Sequence, residues 1–147
     1  MTKMLKLGTA LAAILVAAAP LAPRRAFAAD PVMEQNGIPY ACTGIGQEKD
    51  DPRWAGFALK LAYAVQPDGA LLSDVAARIH DAAGRLVLDV HCPDAPWLMA
   101  QLPPGRYSVT AVALGKYTQQ ARFAVGGGRQ SYVVIRFPAE AGRMPPQ

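Results

Sequence analysis

The stretch Leu102-Pro103-Pro104-Gly105-Arg106-Tyr107-Ser108-Val109-Thr110-Ala111 decides the fold. Two prolines and a glycine break the chain, and a run follows in which Tyr107, Val109, Ala111 and Ala113 alternate with more polar neighbours. A period of two is a strand with those side chains on one face. Pro104-Gly105 suits a type II turn, in which glycine supplies the positive φ. Tyr107 would then sink its ring into a core and leave its hydroxyl at the edge.

The same pattern extends in both directions. Upstream, Phe57 to Gln66 alternates with Leu59, Leu61, Tyr63 and Val65 on one face, and Pro67-Asp68-Gly69 turns the chain. Val75 to Asp81 and Arg85 to His91 read as a hairpin closed by Asp81-Ala82-Ala83-Gly84. Trp97 to Leu102 is a short strand after the break Pro93-Asp94-Ala95-Pro96. Downstream, Gly115-Lys116 leads into Tyr117 to Val125, and Gly126-Gly127-Gly128 into Arg129 to Phe137. Short strands at this spacing, without a long amphipathic helix, predict an all-β fold: a seven-stranded antiparallel β-sandwich over residues 56–137. Residues 29–55 lack periodicity and read as an irregular N-terminal arm, with a short helical turn over Gln47 to Trp54. The proline-rich residues 138–147 read as a flexible tail.

The turn Leu102, Pro103, Pro104, Gly105, Tyr107 resembles the L-P-P-G-x-Y-x-V signature of carboxypeptidase regulatory-like domains, which group with transthyretin-like (Ig-like) and Cna B-type sandwiches. The segment Asp74 to Arg85 is similar to that family's V-x-V-x-I-x-D-x-x-G-x hairpin. The resemblance implies a transthyretin-like sandwich and says little about activity. In carboxypeptidases the domain is an accessory without zinc or the catalytic glutamate. The enzymatic relatives, hydrolases of 5-hydroxyisourate, end in Tyr-Arg-Gly-Ser, whereas this sequence ends Arg143-Met144-Pro145-Pro146-Gln147.

Residues 1–28 read as a signal peptide. Lys3 and Lys6 precede an apolar run from Leu7 to Ala19, and Ala26-Phe27-Ala28 is an A-x-A cleavage signal. The run is shorter than the roughly 20 residues a membrane span needs, so no span is expected after processing. The charge depends on this reading. The sequence has 15 basic and 11 acidic residues, a net +4, and four of the basic residues (Lys3, Lys6, Arg24, Arg25) lie in the leader. The processed chain is formally neutral, which removes the electrostatic case for nucleic acid.

Cys42 and Cys92 are the two cysteines of an exported chain, and a disulfide between them is expected. It would close a loop of 50 residues, worth about 4 kcal/mol on chain-entropy grounds. His80 and His91 fall near opposite ends of the hairpin if Asp81 faces Gly84, which argues against a shared metal, and no metal or other cofactor is expected. In that register His91 faces Asp74, while Arg78 and Asp89 lie diagonally. Glu48, Asp50 and Asp51 lack the alternating spacing of a calcium loop, and Ser108 has no histidine arrangement that would activate it. No catalytic set emerges. The candidate binding surface is Tyr40, Trp54, His91 and Trp97, either as an aromatic platform or at the end of the sandwich near the cysteines.

These observations predict a non-catalytic, periplasmic or secreted binding module with an envelope or secreted protein as partner, using an unpaired edge strand or that end of the sandwich. The alternative is a small carbohydrate-binding module or a transthyretin-like hydrolase built on Trp97 and His91.

Overall fold

The structure, a computed structural model, describes residues 18–20 and 29–143. Apart from residues 18–20, the expected leader lies outside the described residues, as do residues 144–147 of the tail.

Nine strands follow in chain order: β1 (Met33–Gln35), β2 (Ile38–Thr43), β3 (Leu59–Val65), β4 (Val75–Asp81), β5 (Leu86–Cys92), β6 (Trp97–Ala100), β7 (Gly105–Ala113), β8 (Tyr117–Val125) and β9 (Ser131–Phe137). They form two sheets, one of five strands in the order β1-β2-β6-β3-β9 and one of four in the order β5-β4-β7-β8. Among the described residues the chain is all-β, with 3-10 turns at Gly46–Asp50, Pro52–Gly56 and Ala139–Gly142 as its only helical elements.

The alternation seen in sequence is the reason the sheets face each other. Leu59, Leu61, Tyr63 and Val65 of β3 meet Val75, Ala77 and Ile79 of β4 and Tyr107, Val109, Ala111 and Ala113 of β7 in one core. Leu88, Val90, Leu98, Ile135 and Phe137 complete it. Burying a large apolar side chain is worth about 1.5–3 kcal/mol, so this shared interior sets which face of every strand points in. Tyr63 is fully buried, and its hydroxyl has no hydrogen-bond partner among the described residues.

The structure departs from the sequence reading in five places. First, the arm is not irregular throughout: β1 and β2 pair antiparallel, with Gln35 opposite Ile38, which adds two strands to the expected seven. The hairpin turns on Asn36-Gly37, both at positive φ (52° and 75°), a conformation those two residue types adopt at low cost. The exposed Met33–Gln35 strand carries no apolar alternation that would have announced it. Second, β9 runs parallel to β3, with Leu59 opposite Ser131 and Val65 opposite Phe137, so the sheets are not wholly antiparallel.

Third, the β4–β5 register is two residues away from the expected one over most of its length. Arg78 pairs with Asp89 and Ala76 with His91, and past an irregularity between Ile79 and His80 the offset falls to one residue, with His80 opposite Leu86. An even slip keeps every side chain on its face, so the hydrophobic pattern cannot detect it.

Fourth, Gly105 is not the positive-φ residue of a type II turn. It begins β7 with no positive φ, and Tyr107 is the group that holds the turn, donating its hydroxyl to the Pro103 carbonyl at 2.6 Å. Fifth, the expected flexible tail begins with an ordered 3-10 turn, in which Ala141 is buried against the core.

A candidate interaction edge and the dispersed aromatic residues

Cys42 at the end of β2 and Cys92 at the end of β5 are bonded, so the disulfide joins one sheet to the other. The expected pairing is present. On the same side the β1–β2 turn reaches across to β5. Gln35 behaves like a strand residue: its side-chain amide donates to the Asp89 carbonyl (3.1 Å) and its carbonyl accepts from the Asp89 amide (2.6 Å). Asn36 donates to the Val87 carbonyl at 3.1 Å. The amide and carbonyl of Asp89 and the carbonyl of Val87, which face away from β4, are thereby occupied.

On the opposite side the side-chain hydrogen bonding is limited, among the described residues, to the C-terminal end of β8. Strand β8 is the longest of the four edge strands, nine residues against seven for β5 and β9 and three for β1. Its Ala124 carbonyl accepts from the Ser131 hydroxyl of β9 at 2.6 Å, so that carbonyl points away from β7. Strand alternation then turns the backbone groups of Thr118, Gln120 and Arg122 outward as well. None of these three residues has a side-chain hydrogen bond to a neighbouring element among the described residues. On the inner face of β8, Tyr117, Ala121 and Phe123 pack on the core yet stay only half-buried.

Of the four residues expected to form one binding surface, Trp54 and Trp97 share one small cluster, whereas Tyr40 and His91 lie elsewhere. Tyr40 lies on the inner face of its sheet, against the main core. Trp54 is 4% exposed, with its indole N–H donated to the Glu48 carbonyl at 2.6 Å. It packs with Ala41 and Met99 in a second, small core on the outer face of the five-stranded sheet, so it is no part of a platform. Trp97 lies half-buried on that outer face. His91 lies on the outer face of the other sheet, beside Asp74 (Nε2 to Oδ1 2.6 Å), and both side chains are open to water. An exposed pair of that kind contributes little. Arg78 and Asp89 sit directly across from each other rather than diagonally, at 3.3 Å and exposed.

Trp97 has a neighbour that sequence reasoning missed. Lys60 places its ammonium 3.5 Å from the centre of the Trp97 ring and 5.0 Å from that of Tyr132. Burial holds the Lys60 pKa below its usual value, and the aromatic faces offset part of that cost. Tyr132 is 61% exposed. The parallel β3–β9 register, which sets Lys60 opposite Tyr132, creates this cluster, and nothing in the local sequence signals it.

An open cleft of about 540 Å³ lies where the Asn36-Gly37 turn, the β4–β5 turn and Pro103–Tyr107 meet. Its acidic group is already engaged. Asp81 accepts from the backbone amides of Arg85 and Ala83 and from the Arg85 side chain, which holds its carboxyl below the ordinary range. Burial, with Asp81 nearby, pushes the Tyr107 hydroxyl up. No group of three or more His, Cys, Asp or Glu that could hold a metal occurs among the described residues. Nor is any helix among them long and apolar enough to cross a membrane. The disulfide is compatible with an extracellular or periplasmic protein.

The chain matches no protein-family model and no curated protein sequence. What fold and site define is a class: an all-β chain of two packed sheets, bridged by one disulfide.

Proposed function

We propose that this chain is an exported, non-catalytic interaction module of the cell envelope, built on a transthyretin-like sandwich of the carboxypeptidase regulatory-like kind. The observation that carries the reading is the contrast between β5, whose edge is clamped by Gln35 and Asn36, and β8, which has nine residues and an open edge. A partner strand laid along β8 would satisfy its outward backbone groups and cover the half-buried row of Tyr117, Ala121 and Phe123. The disulfide and the A-x-A leader support export to the periplasm or beyond.

The test is site-specific photo-crosslinking in the expressing cell, with the probe at Thr118 on β8 or at Asp89 on β5. Capture from Thr118 and not from Asp89 is expected. Equal capture from both, or from neither, overturns the reading.

A second reading, a small carbohydrate-binding module, is favoured by the exposed Tyr132 beside Lys60 and Trp97. A glycan that raises the melting temperature of the wild type but not of Tyr132→Ala would support it.

A further inference from the structure

We infer that the outer face of β3 and β9 binds an acidic glycan, with the Tyr132 ring stacked on a sugar and the Lys60 ammonium holding that sugar's carboxylate. This rests on the reading of Tyr132 as a carbohydrate platform and names the class of sugar.

The parallel register builds the site. Lys60 stands opposite Tyr132, and Ala64 opposite Arg136. Leu59, Leu61 and Tyr63 point into the core, so Lys60, Tyr132 and Arg136 point outward. Trp97 packs on the Gly44 backbone so closely that an added Cβ would come within 2.6 Å of its ring. The Lys60 ammonium lies over that ring at 3.5 Å, which fixes the cation 5.0 Å from the centre of the Tyr132 ring. Tyr132 itself stays 61% exposed, with its ring open to a ligand.

The charges on this face favour an anion. Strands β3, β6 and β9 contain no Asp or Glu. Neither Lys60 nor Arg136 has an ion-pair partner among the described residues. Lys60 is half-buried, and a cation partly withdrawn from water gains more from a carboxylate than a fully exposed one does. Arg136 is exposed four residues beyond Tyr132, about 13 Å along the strand. It extends the basic face in the direction a glycan chain would run.

A uronic acid matches both halves of the site. Its C–H face stacks on an aromatic ring, and its carboxylate projects from the rim of the same sugar. A neutral sugar would use Tyr132 and leave Lys60 idle. An acidic peptide fits less well, because extended peptides gain most from backbone pairing at a sheet edge, whereas this site offers side chains on a sheet face.

The test is calorimetric titration of the full chain with tetragalacturonate, with its methyl ester and with tetraglutamate. Binding of the free acid, weakened by added salt, is expected, with little binding of the ester or the peptide. Lys60→Met keeps an apolar stem against Trp97 and removes the charge. It should weaken binding of the acid roughly tenfold or more, as the loss of a charge-assisted hydrogen bond does. Lys60→Arg should retain binding. Tyr132→Ala should abolish binding at an unchanged melting temperature, since the ring is exposed. If Lys60→Met fails to fold, the comparison of acid with ester carries the test.

Equal binding of acid and ester, lost in Tyr132→Ala, overturns the acidic class and leaves the carbohydrate reading standing. Binding of tetraglutamate but of neither sugar makes the ligand an acidic peptide and overturns both. Binding of none of the three also overturns both.

Discussion

The two lateral sides of the sandwich are finished differently. On one side, Cys42–Cys92 bonds sheet to sheet, and Gln35 and Asn36 imitate a missing strand along β5. On the other side, β8 ends its sheet with outward backbone groups and a half-buried aromatic row. A lone sheet edge is a template for unwanted pairing, and proteins commonly blunt it. Here one edge is blunted with side-chain amides and a covalent bond while the longer one is left open. The difference teaches that the open edge is not for want of a device to close it.

This contrast can be broken or sharpened by substitution. The largest effect is expected from the disulfide. Replacing both Cys42 and Cys92 with Ser frees a loop of 50 residues and should cost about 2–4 kcal/mol in denaturant unfolding. It should leave the β8 edge unchanged wherever the chain still folds. Next is Gly44→Ala, on the same closed side. Gly44 sits at φ 107°, and an added Cβ would come within 2.6 Å of the Trp97 ring. Strain and overpacking together predict a loss of about 2–3 kcal/mol, read as a lower melting temperature.

Gln35→Ala should cost about 1 kcal/mol by removing two hydrogen bonds to Asp89. It should also open the β5 edge, seen as more association in sedimentation than the wild type shows. The smallest effects are expected at the open side. Thr118→Ala, on the exposed face of β8, should change stability by less than about 0.5 kcal/mol. Gly105→Ala should be similarly mild, because an added Cβ there comes no closer than 3.7 Å to the Tyr107 ring. A large loss at Gly105 would restore the view that its backbone needs glycine.

The fold was legible in sequence wherever burial dictates alternation. Leu59 to Val65 and Tyr107 to Ala113 announce their inner faces because the core removes one residue in two from water. The cysteine pair was legible from its number and from the expected leader. The β1 strand was not, because its three residues bury nothing and are held by a turn and two side-chain amides. Register was not legible either, since an even slip between β4 and β5 preserves the pattern.

The placing of the aromatic residues was not legible for a related reason. Trp54 and Trp97 share one small cluster, but strand parity sends Tyr40 to the opposite face and a 3-10 turn tucks Trp54 away from solvent. The Lys60–Trp97–Tyr132 cluster depends on a parallel pairing between segments about 70 residues apart, as Lys60 opposite Tyr132 shows. The β8 edge was anticipated only as an unpaired strand. Which strand it is follows from sheet order, a non-local fact.

The same parallel pairing has a kinetic consequence. Strand β3 takes β6 on one flank and β9 on the other, and β9 is the last strand in the chain. Its flank stays bare until Ser131–Phe137 arrives. A chain that emerges N-terminus first can form the local β4–β5 and β7–β8 hairpins early, but it cannot close its core until nearly all of it is available. Folding is therefore late, and slow for its size, in the millisecond-to-second range of proteins dominated by distant pairings.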